Sequence, residues 1–202
     1  MEYRREIDGL RAISVISVIL FHAGLGIFKG GYVGVDIFFV ISGFLITSII
    51  VKQIRDKQFN ILNFYHRRIR RLIPSLAVVI LISSFFAIFL LTPEDLKKFY
   101  ESVIATATFS SNIYFWKQDG YFDTAGELKP LLHTWSLSIE EQFYILYPIL
   151  ILLIWRFCKK YLSYILISIF CLSFVIAQWA SIAKPVAAFY LLPMRTWEIL
   201  LG

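Results

Sequence analysis

The sequence predicts an all-α, polytopic transmembrane helical bundle, and three observations carry that prediction. Of its 202 residues, 58% are hydrophobic and 17% aromatic, more than a soluble domain carries. Several apolar runs approach the roughly 20 residues needed to cross a hydrocarbon core about 30 Å thick. Stretches such as LIPSLAVVILISSFFAIFLL are apolar on every side, whereas a membrane β-barrel shows segments of about ten residues with alternating polarity.

The elements follow in order. A first span is expected from about Ala12 to Phe28, and Arg4, Arg5 and Arg11 before it place the N-terminus in the cytoplasm by the positive-inside rule. The short turn at Lys29, Gly30 and Gly31 makes the second span, about Tyr32 to Val51, its antiparallel neighbour. Lys52 to Arg71 is the densest positive segment and is assigned to the cytoplasmic side. A third span covers Leu72 to Leu91, and TPEDLKK breaks it. Residues 99–116 carry Glu101, Ser102, Thr106, Thr108, Ser110, Ser111 and Asn112, so they read as re-entrant or surface-lying. A full crossing there would put Arg156, Lys159 and Lys160 on the wrong side. A span from about Ile139 to Trp155 then runs inward, Leu162 to Ile182 runs outward, and a last segment starts at Val186. The apolar ending FYLLPMRTWEILLG reads as a chain cut short, one domain of a larger bundle.

The net charge of +6 sits beside apolar runs, so topology accounts for it and nucleic acid is not an expected partner. Cys158 and Cys171 fit neither a disulfide framework nor a metal-ligand pattern. The partner the composition does imply is the lipid bilayer.

Ionisable residues inside apolar segments are costly, so each is a candidate for chemistry. Eleven helical steps of about 100° bring Arg11 and His22 onto one stripe, about 16 Å apart. His22 falls near mid-membrane on this reading, and Asp36 on the neighbouring helix reaches a similar depth. A carboxylate bonded to one ring nitrogen would leave the other as a general base. Gly31, Gly34, Ser42 and Gly43 permit close helix approach. Arg67, Arg70 and Arg71 are related by steps of three and four, as are Arg68 and Arg71, forming a guanidinium fork suited to phosphate or to anionic lipid. His133, Ser136 and Glu140 stack on one helical face, while Ser138 and Glu141 match a capping box. Arg195 and Glu198 form an i, i+3 pair. On these residues alone a transferase and a transporter or flippase component, with His22 and Asp36 relaying protons, fit equally well.

The segments EIDGLRAISVISVILFH, GGYVGVDIFFVISGFLIT, FYHRRIRRLIPSL, LLHTWSLSIEEQFYILYP and MRTWEILLG, in that order, resemble the acyltransferase-3 family of membrane O-acyltransferases. Members include acetylases of O-antigen and other cell-envelope polysaccharides. The resemblance implies transfer of an acyl group, usually acetyl from cytoplasmic acetyl-CoA, to a hydroxyl of a glycan or lipid-linked saccharide, with no metal. It implies a multi-pass protein of the bacterial cytoplasmic membrane. Its arginine-to-histidine pair falls on Arg11 and His22, and its RxxR element on Arg67 to Arg71, in two overlapping registers. It assigns His22, Asp36, Glu140 and Glu141 to catalysis. Arg11, Arg67, Arg68, Arg70, Arg71, Ser42 and Gly43 go to the donor. The family's domain is longer than this chain, so an inactive remnant stays open as an alternative.

Overall fold

A computed structural model describes residues 5–24, 29–118 and 129–202. The described residues form nine α-helices, and no strand occurs among them. In chain order these are α1 (Arg5–His22), α2 (Gly34–Arg55), α3 (Ile61–Leu90), α4 (Pro93–Ala107), α5 (Ser111–Lys117), α6 (Thr134–Cys158), α7 (Leu162–Ala183), α8 (Pro185–Tyr190) and α9 (Leu192–Leu201). Three stretches are long and apolar enough to cross a membrane: 31–55, 61–90 and 134–183. The last comprises α6 and α7 joined by a 3-10 turn, Lys159–Tyr161. Only 11% of the apolar window of α3 is buried against the rest of the chain. Leu81, Phe85, Phe86, Phe89 and Leu90 stand exposed, a patch that lipid solvates and water does not. The protein is a polytopic helical bundle, as the sequence predicts.

Local signals fix the helix ends. Asn60 caps α3 by accepting from the Asn63 amide at 3.0 Å, and Thr92 caps α4 with Pro93 in the first turn. After α2, Lys57 adopts a left-handed φ of 56°, and the Gln58 amide returns to the Gln53 carbonyl at 2.8 Å, a Schellman closure. Phe109 does the same after α4, with φ 52°.

The first expected span needs correction. The helix starts at Arg5 and ends at His22, and Gly24 follows with φ 72°. Its charged first half keeps α1 out of the membrane-length apolar stretches. His22 is therefore in the last turn of a helix, not halfway along one. Residues 25–28 of the expected span, and residues 119–128, lie outside the described residues. The basic segment also joins the third span: Arg67 to Arg71 sit in the first half of α3. The polar stretch 99–116 is divided between α4 and α5, neither long enough to cross. The last segment splits at Leu191 into α8 and α9.

The core forms around α6. Trp135, Ile139, Phe143, Tyr147 and Ile151 pack with Phe39, Ile46 and Ile50 of α2, Phe64 of α3, Phe115 of α5 and Ile199 of α9. Polar residues of α4 and α5 turn into this core rather than away from it. Thr106, Thr134, Ser111 and Ser138 form a chain of hydroxyl hydrogen bonds of 2.7–3.0 Å. Asn112 donates to the Tyr190 carbonyl and accepts from Gln142. Each hydroxyl of this chain thus has a partner, which removes the desolvation cost of about 1–3 kcal/mol that an orphan carries.

Candidate active site

Glycines set the positions of the helices that matter most. A Cβ on Gly34 would lie 2.4 Å from the Ser14 carbonyl oxygen, and one on Gly31 2.2 Å from that of Ser17. A Cβ on Gly43 would meet the Ile199 carbonyl oxygen at 1.7 Å. Only glycine permits these approaches, so α2 is clasped between α1 and α9. Gly43 therefore packs directly against α9.

Two half-open clefts lie on either side of Phe38 and Ser136. The histidine chamber, about 580 Å3, is lined by His22, Ser14 and Val18 of α1, Asp36 of α2, His133 beside α6, and Arg195 of α9. The arginine chamber, about 430 Å3, is lined by Arg11 of α1, Arg67, Arg68 and Arg71 of α3, and Glu140, Glu141 and Tyr144 of α6. Both volumes suit small-molecule sites. The stripe expected on α1 is present, with Arg11 in one chamber and His22 in the other. The face expected on α6 runs the same way: His133 lines the first chamber, Ser136 both, and Glu140 the second.

In the histidine chamber, His22 Nδ1 lies 2.9 Å from the Val18 carbonyl oxygen. A carbonyl only accepts, so Nδ1 carries the hydrogen and Nε2 keeps its lone pair. The orienting partner is thus backbone, not Asp36. Arg195 engages Asp36 at 2.5 Å and Glu198 at 2.7 Å, so the expected Arg195–Glu198 pair is present with a third member. The guanidinium is also within 5.6–5.8 Å of the Phe39, Trp135 and Phe189 ring centres, so aromatic faces supplement the ion pairs. Asp36 is thus engaged by Arg195 and not by His22. Desolvation holds the His133 imidazole below its ordinary pKa, its nearness to His22 adds to that, and a hydrogen bond to the Pro130 carbonyl opposes it.

The arginine chamber is differently charged. Four guanidiniums face two carboxylates. Arg68 donates to Glu141 at 2.7 Å and lies over the Tyr144 ring at 3.5 Å. Tyr144 in turn donates to Glu140 at 3.0 Å. Arg67 and Arg71 form no ion pair among the described residues, and the Nε groups of Arg11 and Arg68 are buried without an acceptor. Buried donors without partners are rare and mark a place for an anion. Of the two RxxR registers, Arg68 and Arg71 both line the chamber, while Arg70 is exposed and outside it. Ser42 is buried beside Glu140 and Tyr144 and lines neither chamber.

The capping-box reading of Ser138 and Glu141 fails because α6 begins at Thr134. Ser138 bonds Ser111, and Glu141 holds Arg68. Sequence reasoning missed Tyr144 and Phe38. Tyr144 is detectable in principle, one turn beyond Glu140 on the same face. The Asp36–Arg195 pair joins residues 159 positions apart and has no local signal.

Fold and site together describe a polytopic helical bundle with an arginine-lined cleft adjoining a histidine-lined cleft. The chain belongs to the acyltransferase-3 family, whose profile, described as an acyltransferase domain, matches residues 4–202. It is similar to the peptidoglycan O-acetyltransferase OatA of Listeria monocytogenes, at 39% identity over all of this chain and 33% of that protein. It is likewise similar to the O-acetyltransferase OatA of Staphylococcus aureus, at 39% identity over 74% of this chain and 25% of that protein. The chain therefore spans a third or less of the length of these relatives. No solved structure gives a significant match.

Proposed function

We propose that this chain forms the acyl-handling part of a membrane O-acetyltransferase that acylates a hydroxyl of a cell-envelope glycan, peptidoglycan being the acceptor that the Listeria relative's name supplies. The observation that carries the reading is the juxtaposition of an imidazole with a free Nε2 and a cleft where four arginines outnumber two carboxylates. The donor is an acyl thioester bearing phosphates, of which acetyl-CoA is the simplest. Arg67, Arg71 and the Nε groups of Arg11 and Arg68 bind the phosphates, and the arginine chamber faces the cytoplasm.

His22 Nε2 takes the proton of the acceptor hydroxyl as its oxygen attacks the thioester carbonyl. The tetrahedral intermediate collapses, the carbon–sulfur bond breaks, and the thiolate leaves with the proton His22 had taken. The products are an ester and a free thiol. Such proton transfer accounts for about 10²- to 10⁴-fold in rate. Arg195 fixes Asp36 and α9 against the chamber wall, and Glu141 and Tyr144 hold Arg68 in place.

The test is transfer of isotope-labelled acetyl from acetyl-CoA to a peptidoglycan fragment by the full-length protein in proteoliposomes, read by mass spectrometry. Wild type is expected to form the labelled ester and His22→Ala to lose at least about 100-fold. Equal rates would remove His22 from the chemistry. Transfer from another activated donor, with none from acetyl-CoA, would overturn the donor assignment.

A further inference from the structure

We propose that Phe38 and Ser136 form the aperture between the two chambers and set the length of acyl group that passes to His22. This rests on the acyl-transfer reading. Among the residues that line the two clefts, only Phe38 and Ser136 line both. Phe38 stands in the second turn of α2 and Ser136 in the first turn of α6. The Arg11 guanidinium lies 5.4 Å from the centre of the Phe38 ring, so a ring that borders the histidine chamber also contacts an arginine of the other. Ser136 donates its hydroxyl to the His133 carbonyl at 3.2 Å.

The chambers themselves do not select for a two-carbon group. At about 580 Å3 and 430 Å3 they hold far larger ligands. Selection therefore falls on the wall they share. A large, flat side chain facing a small one leaves a slot whose width depends on both, and one methylene against such a wall is worth about 10- to 200-fold. No bond changes in this step; the two residues act on which thioester carbonyl reaches Nε2.

The experiment compares acetyl-, propionyl- and butyryl-CoA with the full-length protein in proteoliposomes, for wild type, Phe38→Ala and Ser136→Leu. Wild type is expected to lose at least about tenfold in kcat/KM per added methylene. Phe38→Ala is expected to remove most of that preference, read as the ratio of kcat/KM for butyryl- to acetyl-CoA. Ser136→Leu is expected to lower kcat for all three donors while the Kd for CoA is unchanged. An unaltered chain-length preference in Phe38→Ala, or a loss of CoA affinity in Ser136→Leu that matches its loss of turnover, overturns the aperture.

A second readout does not depend on turnover. Ser136→Cys, with Cys158 and Cys171 replaced by serine, is treated with a membrane-impermeant thiol reagent from each face. Modification from both faces supports a shared wall, and modification from one face or neither overturns it. If wild type transfers no acyl group from any of the three thioesters, the acyl-CoA reading fails, and the labelling result decides the aperture separately.

Discussion

The walls of the two chambers are built in different ways. Around the histidine chamber, backbone meets backbone: Gly31 and Gly34 seat α2 on α1, and Gly43 seats it on α9. Around the arginine chamber the third wall stands off. The backbone of α3 approaches α4 closely rather than α2 or α6, and long side chains bridge the gap, with Arg68 reaching Glu141 and Tyr144. Close-packed backbone holds a reacting geometry to within fractions of an ångström, whereas arginines on flexible stems follow a bulky anionic donor. The site thus sets a wall of close-packed backbone beside a wall of flexible charged side chains.

The comparison breaks most visibly at a glycine. Gly34→Ala places a methyl 2.4 Å from the Ser14 carbonyl oxygen, and backbone cannot yield as a side chain does. A cost of about 3 kcal/mol or more is expected, at the upper end of overpacking effects, together with displacement of α1 and its His22. Gly9→Ala, with nothing within 4 Å of its Cβ, is expected to be neutral or to stabilise by up to about 1 kcal/mol. Thermal unfolding in detergent distinguishes them, and equal melting points would show that the α1–α2 contact is loose.

Next in size is donor binding. Replacing Arg67 and Arg71 together by glutamine removes two charged hydrogen-bonding groups worth about 1.5–3 kcal/mol each. Acetyl-CoA affinity should fall about 100-fold or more while thermal stability holds, because neither residue has an ion-pair partner among the described residues. Calorimetric titration reads this, and unchanged affinity would return both arginines to membrane topology.

Glu141→Gln should cost less. It strips the counter-charge from Arg68, whose side chain retains 27% exposure, so the loss lies nearer 1–3 kcal/mol than the full buried-pair penalty. The same substitution should leave the histidine chamber unaffected, which labelling of a cysteine at Val18 would report.

The smallest effect is a pH dependence. The His133 pKa is lowered from its ordinary 6.5, so between that value and the lower folded one the unfolded chain holds a proton that the folded chain does not. Its contribution to stability is complete above 6.5 and lost as pH falls through the lower folded value. His133→Gln should flatten that part of the profile. An unchanged profile would assign the acid sensitivity to another group.

These contrasts also explain what the sequence revealed and what it hid. The eleven-residue interval from Arg11 to His22 was legible because helical periodicity alone places both on one stripe. That residues 99–116 form no full crossing was legible from their polarity, although their division into two helices and their burial were not: Thr106, Ser111 and Asn112 look solvent-facing until Thr134, Ser138 and Gln142 supply partners. The first span was misjudged because apolarity continues past His22, while the left-handed Gly24 ends the helix. Ser138 and Glu141 matched a capping pattern by composition, yet α6 starts four residues earlier. Asp36 was assigned to His22 through a short turn, whereas its partner comes from a distant helix that local spacing cannot indicate.

The central claim is that His22 performs chemistry and does not bind donor. Parallel measurement of acetyl-CoA Kd and single-turnover acyl transfer in His22→Ala full-length protein tests it most directly. The account predicts wild-type affinity with transfer reduced at least about 100-fold. Retained transfer, or affinity lost in step with transfer, would contradict it.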